Sequence, residues 1–195
     1  MEAEKIEKLV EHLQHAGFSK KQLITGDKAA SLSSKYYTPT FTSPVRIIPL
    51  PQHSEISKKR YEQIVSAVEI VKSQQTGIQI ISRGQNIGYG SDEPYADNTV
   101  LLDLSAFDKI YQYNKNLSQI SLEPGVTQQA LYDYLIESGG EHWPDSTGAP
   151  TNASILGNYL ERGFGHSPYA EHAEQIITMT CLIPWGIDTS PGIYS

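Results

Sequence analysis

Residues 44–82 run from a short apolar stretch, "PVRIIPLP", through a segment in which Tyr61, Ile64, Val65, Val68 and Val71 recur at helical spacing, into a second apolar stretch, "GIQIIS". Ser54 stands where a helix cap is needed. This is the pattern of a βαβ unit, and the handedness of such crossovers places the two strands parallel in one sheet. No other feature constrains the fold as much. A parallel sheet needs helices to cover it, and its ligands bind beyond the carboxyl ends of its strands.

What leaves the carboxyl end of the second strand is "SRGQNIGYGS", residues 82–91, with Gly84, Gly88 and Gly90 close together. Glycine is used where the backbone takes positive φ or where another group approaches the main chain. A Rossmann fingerprint would require G-x-G-x-x-G opening a helix. Here "SDEPYADN" follows, with a proline and no apolar period, and Asp103 at the end of "TVLLDL" therefore lacks the helix that would make it a ribose-binding acid. No Gly-Lys-Ser/Thr is present, so the Walker pattern fails as well. There remains a loop whose backbone N–H groups form an anion nest, with Arg83 and Asn86 adding side-chain donors. An unliganded turn between strands fits the same residues equally well.

Downstream, "DKIYQYNKNLSQISLEPG" reads as a hairpin, and Thr127 caps a helix, "QQALYDYLIESGG", that Gly139 and Gly140 end. The following stretch, "EHWPDSTGAPTNASILGNYLERGFGHSPYAEH", is long, irregular and rich in Gly, Pro, Ser and Asn. Such stretches are functional or disordered, and Trp143, Tyr159, Phe164 and Tyr169 argue against disorder. At the other end, Ile6, Leu9, Val10 and Leu13 predict an amphipathic helix stopped at Gly17, and residues 26–43 read as an extended lead-in without regular structure.

Charge and cysteine usage narrow the function classes. The 195 residues carry a formal charge of -7 with dispersed lysines, which argues against nucleic acid or an anionic membrane as the principal partner and favours a small-molecule ligand. Cys181 is the sole cysteine, so neither an intrachain disulfide nor a Cys-based metal site can form. His142, His166 and His172 lack paired ligand spacing, and no metal site is expected. The N-terminus lacks the apolar core of a signal peptide and no run approaches a membrane span, so the expectation is a cytoplasmic protein.

The order of "RGQNIGYG", "VLLDLS", "EPGV" and "WPDSTGAPTNASILGNYLERGFGHSPYAEH" resembles the FAD-binding domain, PCMH type, of the vanillyl-alcohol oxidase and p-cresol methylhydroxylase family. The resemblance implies an α+β fold: a small parallel βαβ subdomain and the start of a second, antiparallel-sheet subdomain, with FAD between them. It divides the chain into an N-terminal helix and lead-in (1–43), a first FAD-binding subdomain (44–140) and the beginning of a second (141–195). Ser82, Arg83, Gly84, Gln85, Asn86, Ile87, Gly88 and Tyr89 match the family's pyrophosphate loop. Ser154, Glu161, Gly163 and His166 match the segment lining the cofactor farther on. In the phenol-oxidising branch Asp145 resembles a carboxylate near flavin N5, and Tyr89 a tyrosine facing a phenolic substrate.

Departures from the family pattern are Ala170 and Glu171, where Gly and Asp are frequent, and Gln85 in the region where the berberine-bridge branch carries a flavin-linking histidine. Covalent attachment through this loop is therefore not expected. After "EQIITMTCLIPWGIDTSPG", read as strand, turn and strand, the chain stops at Ser195, and the resemblance implies that the substrate domain lies outside it. Three readings stay open: a fragment of a larger oxidase, a truncated protein that self-associates or needs a partner chain, and a noncatalytic relic that serves as a binding module. The expected activity of a complete assembly is oxidation of a small alcohol or phenol by hydride transfer to flavin N5.

Overall fold

The computed structural model describes residues 3–32, 41, 43–49, 58–85, 92–145, 147–183 and 186–191. Helix α1 (Ala3–His15) buries Leu9 and Leu13, one turn apart, and carries Glu4 in its first turn and His12 and His15 in its last, as the helix dipole favours. Strands β1 (Leu23–Thr25), β2 (Val45–Ile47), β3 (Ile78–Ile81) and β4 (Val100–Asp103) form one sheet in the order β1-β2-β4-β3. β2 and β3 are each parallel to β4, while β1 is antiparallel to β2.

The predicted βαβ unit is present as β2, α3 (Lys58–Ser73) and β3, but its strands are not neighbours. β4 lies between them, parallel to both, and its Val100, Leu101 and Leu102 are fully buried, as a strand covered on both faces requires. α1 and α3 cover one face, packing Leu9, Leu13, Ala67 and Val71 against Val45, Ile47, Val100 and Leu102. Strand alternation turns Arg46, Leu101 and Asp103 to the opposite face.

A second core forms around the hairpin of β5 (Ile110–Asn114) and β6 (Gln119–Leu122), α4 (Gln128–Glu137) and α5 (Ile155–Leu160). Val126, Leu131, Leu135 and Ile155 are its buried centre. Thr127 caps α4 as the sequence predicts, accepting from the Ala130 amide at 3.1 Å. A 3-10 turn (His172–Gln175) leads to the antiparallel pair β7 (Thr178–Ile183) and β8 (Gly186–Pro191).

Two segments differ from expectation. The lead-in holds a short helix, α2 (Asp27–Leu32), instead of being extended throughout: Asp27 favours the positive helix start and the alanines of "DKAASL" favour the helix itself. The long irregular stretch contains α5, whose start is set by Ser154. Ser54, and Pro184 and Trp185 where the sequence predicts the turn between the last two strands, lie outside the described residues. No described helix is long and apolar enough to cross a membrane.

Candidate cofactor site

The loop after β3 leaves the sheet through Ser82, Arg83, Gly84 and Gln85, while Asn86, Ile87, Gly88 and Tyr89 lie outside the described residues. Gly84 has φ +59°, a left-handed conformation, and a Cβ there would stand 2.9 Å from Asp92 Cβ. Both facts require glycine. The Arg83 side chain turns toward the second core: its Nε donates to the Gly125 carbonyl at 2.7 Å and its Nη2 lies 3.6 Å from Asp108 Oδ2. Gln85 Nε2 donates back to the Arg83 carbonyl at 3.2 Å.

Ser82 connects this loop to the downstream segment. Its hydroxyl donates to Ser154 Oγ, and Ser154 Oγ in turn accepts from the Gly157 amide at 3.1 Å, capping α5. The Gly125 amide donates to the Phe107 carbonyl at 2.6 Å. The carboxyl end of a parallel strand, the "EPG" turn and the start of α5 therefore meet at one place. Glu123 of that turn is buried, and its carboxylate accepts from the Lys109 amide at 2.9 Å and from the Tyr111 hydroxyl at 2.5 Å.

Beyond α5 the chain folds back over Asp145. Its Oδ1 accepts from the Ser167 amide at 3.2 Å and its Oδ2 from the Ser167 hydroxyl at 2.9 Å. His172 is fully buried behind it, with Nε2 3.5 Å from Asp145 Oδ2 and Nδ1 2.5 Å from Asn158 Oδ1. The His172 ring stacks on Tyr159, with centroids 4.8 Å apart and planes at 26°. Gly165 fits only because it lacks a side chain: a Cβ would overlap Asp145 Oδ2 and stand 2.6 Å from His172 Nε2.

The electrostatics follow from this packing. Desolvation by burial, the largest single influence on Asp145, raises its pKa, but the two hydrogen bonds from Ser167 and the neighbouring imidazole together bring it below the ordinary 3.8. Burial, and then the charge of Asp145, push the Tyr159 phenol up.

Of the residues singled out in the sequence, Ser82 and Ser154 are in direct contact. Gly163 sits where α5 ends, its amide donating to the Asn158 carbonyl at 2.7 Å, and Glu161 is the exposed C-cap of α5. His166 is exposed on the loop that crosses Asp145. The sequence reading did not single out Asn158 and Ser167, and it weighed His172 only as a metal ligand. Among the described residues no group of three or more His, Cys, Asp or Glu side chains is arranged to hold a metal ion. The spacing of "GNYL" and "HSPYAEH" carries no sign that a histidine and an asparagine so far apart in sequence share a hydrogen bond.

Residues 56–187 match the family model described as "FAD binding domain". The chain belongs to this family. Among curated relatives, it is 29% identical to 1'-carboxy-chondrochloren decarboxylase of Chondromyces crocatus, over 84% of this chain and 29% of that protein. It is 35% identical to the 4-cresol dehydrogenase [hydroxylating] flavoprotein subunit of Pseudomonas putida, over 57% of this chain and 21% of that protein. Among solved structures, p-cresol methylhydroxylase with substrate bound superposes with a TM-score of 0.84 at 23% identity, over 96% of this chain and 35% of that one. The 4-ethylphenol oxidase of Gulosibacter chungangensis gives 0.83 at 22% identity, over 97% and 35%. The chain thus spans about a third or less of these relatives, and the fold is the PCMH-type FAD-binding fold.

FAD is the cofactor of the family, and the site's chemistry suits it. Gly84 and Gly157 let the chain pack closely around the Ser82 and Ser154 hydroxyls: a Cβ on Gly84 would stand 2.9 Å from Asp92 Cβ, and one on Gly157 2.7 Å from Ser154 Oγ and 3.7 Å from Ser82 Oγ. Uncharged hydroxyl groups beside a glycine loop at the carboxyl end of a parallel strand suit a dinucleotide pyrophosphate.

Proposed function

We propose that this chain is the FAD-binding portion of a flavin-dependent oxidoreductase acting on a small phenolic or alcohol substrate. The observation that carries the reading is the joint between Ser82 and Ser154, which connects the glycine loop to the 154–172 segment within a family match that spans both. FAD, when bound, supplies a hydride acceptor at its N5. In this reading residues 82–89 hold the pyrophosphate, and Ser154, Glu161, Gly163 and His166 line the cofactor beyond it.

The substrate class rests on relatives that bear the names 4-cresol dehydrogenase and 4-ethylphenol oxidase. Tyr89 is proposed to face the phenol. Asp145 is proposed as the carboxylate near the reacting carbon, and its lowered pKa suits one of the two roles a carboxylate could take there. A carboxylate that resists protonation is a poor general base and a good fixed negative charge, which stabilises a carbon that becomes electron-poor as it loses hydride. Ser167 holds that charge in one orientation.

The test is anaerobic mixing of the FAD-loaded complete assembly with a 4-alkylphenol. Bleaching of the flavin absorbance supports the reading, and a rate unchanged in Asp145→Asn removes Asp145 from the chemistry. A noncatalytic binding module of the same fold is the alternative. In that case FAD binds but no 4-alkylphenol bleaches it.

A further inference from the structure

Beside Gly84 lies a buried ion cluster that none of the cofactor-matched positions includes. Arg46, in the middle of β2, faces away from α1 and α3, and its guanidinium forks between two carboxylates. Nη1 donates to Asp92 Oδ2 at 2.9 Å, while Nε and Nη2 donate to Asp103 Oδ2 at 3.0 and 2.8 Å. The three side chains are 11%, 8% and 5% exposed. Asp103 ends β4, and its other oxygen accepts from the Ser105 amide at 2.8 Å. Asp92 begins the limb by which the chain returns from the loop.

Both limbs of the loop meet at Asp92. The departing limb rests on it through Gly84, whose hydrogen-only side chain allows the approach. The returning limb is pinned on the same sheet face by Gln79, which donates to the Glu93 carbonyl at 2.9 Å and accepts from the Tyr95 amide at 2.8 Å. The Glu93 carboxylate accepts from the Phe41 amide at 2.9 Å.

We infer that Arg46 is a positioning residue for FAD: by holding Asp92 to the sheet it fixes the two limbs from which the cofactor loop springs. The inference rests on the reading of that loop as the pyrophosphate-binding element. Arg46, Asp92 and Asp103 sum to one formal negative charge, which by itself opposes an anionic ligand at the loop. Charge alone would disfavour FAD. The cluster aids binding through order, and the two effects have opposite signs.

A charge-matched pair of variants separates them. Asp92→Asn and Asp103→Asn each remove one negative charge from the same cluster and keep an oxygen for Arg46, but Asp92 alone belongs to the loop. FAD is titrated into the full chain by flavin fluorescence, and hydrogen exchange is followed at residues 84–85 and 92–95. Asp92→Asn is expected to bind FAD about tenfold more weakly than Asp103→Asn, the size of one charge-assisted hydrogen bond, with faster exchange on both limbs. Equal affinities in the two variants, or tighter binding by Asp92→Asn, overturn the inference. If Asp92→Asn does not fold, Arg46→Lys, which cannot fork to both carboxylates, is expected to show the same weakening and exchange; wild-type values in it overturn the inference. Failure of the unmodified chain to bind FAD defeats the reading of the loop instead. The exchange arm still decides the tether: limbs that exchange alike in all variants overturn it.

Discussion

His172 Nε2 stands 3.5 Å from Asp145 Oδ2, with the imidazole fully buried and the carboxylate side chain only 10% exposed. Through this pair, α5 and the loop that crosses Asp145 are held as one frame, since His172 Nδ1 meets Asn158 on α5 while Asp145 meets Ser167 on the loop. Replacement by an apolar residue of similar size leaves Asn158 and Asp145 without that neighbour. His172→Leu is expected to destabilise the protein by about 2–3 kcal/mol, measured by urea unfolding. A loss below the error of the measurement would show that the frame does not depend on the imidazole.

The lowered pKa of Asp145 gives the frame an acid limit. A carboxyl whose folded pKa lies below its unfolded value contributes stability that is complete above the ordinary 3.8 and is lost as the pH falls through that value toward the folded one. The melting temperature should therefore fall as the pH drops below about 4, the ordinary carboxylate range, and should fall less steeply in Asp145→Asn. Parallel acid limbs for the two proteins would contradict this.

Gly165 tests the closeness of the same packing. A methyl group there meets Asp145 and His172 at distances that no rotamer change at position 165 can relieve. Gly165→Ala should cost about 1–3 kcal/mol in thermal or urea unfolding, the usual cost of overpacking. A neutral substitution would mean that the loop sits farther from Asp145.

Ser82 and Ser154 should behave as one unit. Ser154→Ala removes the α5 cap and is expected to cost about 1 kcal/mol. Because Ser82 donates to the same oxygen, adding Ser82→Ala to it should cost less than Ser82→Ala alone, with a coupling of about 0.5 kcal/mol or more in a double-mutant cycle. Strict additivity would separate the loop from α5.

How much of this was legible in the sequence varies by residue, for physical reasons. Period and punctuation predicted α1, α3 and α4, whose apolar residues recur at helical spacing, and apolar runs bounded by turn residues predicted the strands "IQII" and "VLLD". The order of the sheet was not legible: the insertion of β4 between β2 and β3 depends on pairings that local pattern does not encode. At the site, the loop glycines and Ser154 were singled out by the order of motifs, although a plain turn and a helix cap would use the same residues, and Ser154 does cap α5. Arg46 did not. In "PVRIIPLP" it reads as the polar position of an alternating strand, and its value arises only when Asp92 and Asp103 converge on it from far along the chain. His172 was obscured in the same way, since its partners Asn158 and Asp145 come from two other segments.

The central claim is that this chain holds FAD through the loop that begins at Ser82, and equilibrium titration of the purified chain with FAD tests it most directly. Flavin fluorescence should change saturably to one FAD per chain. In Gly84→Val binding should be lost while the circular dichroism spectrum is kept, because a β-branched residue cannot take φ +59° against Asp92. A wild-type chain that leaves flavin fluorescence unchanged, or a Gly84→Val chain that binds FAD as well as the wild type, would contradict the account.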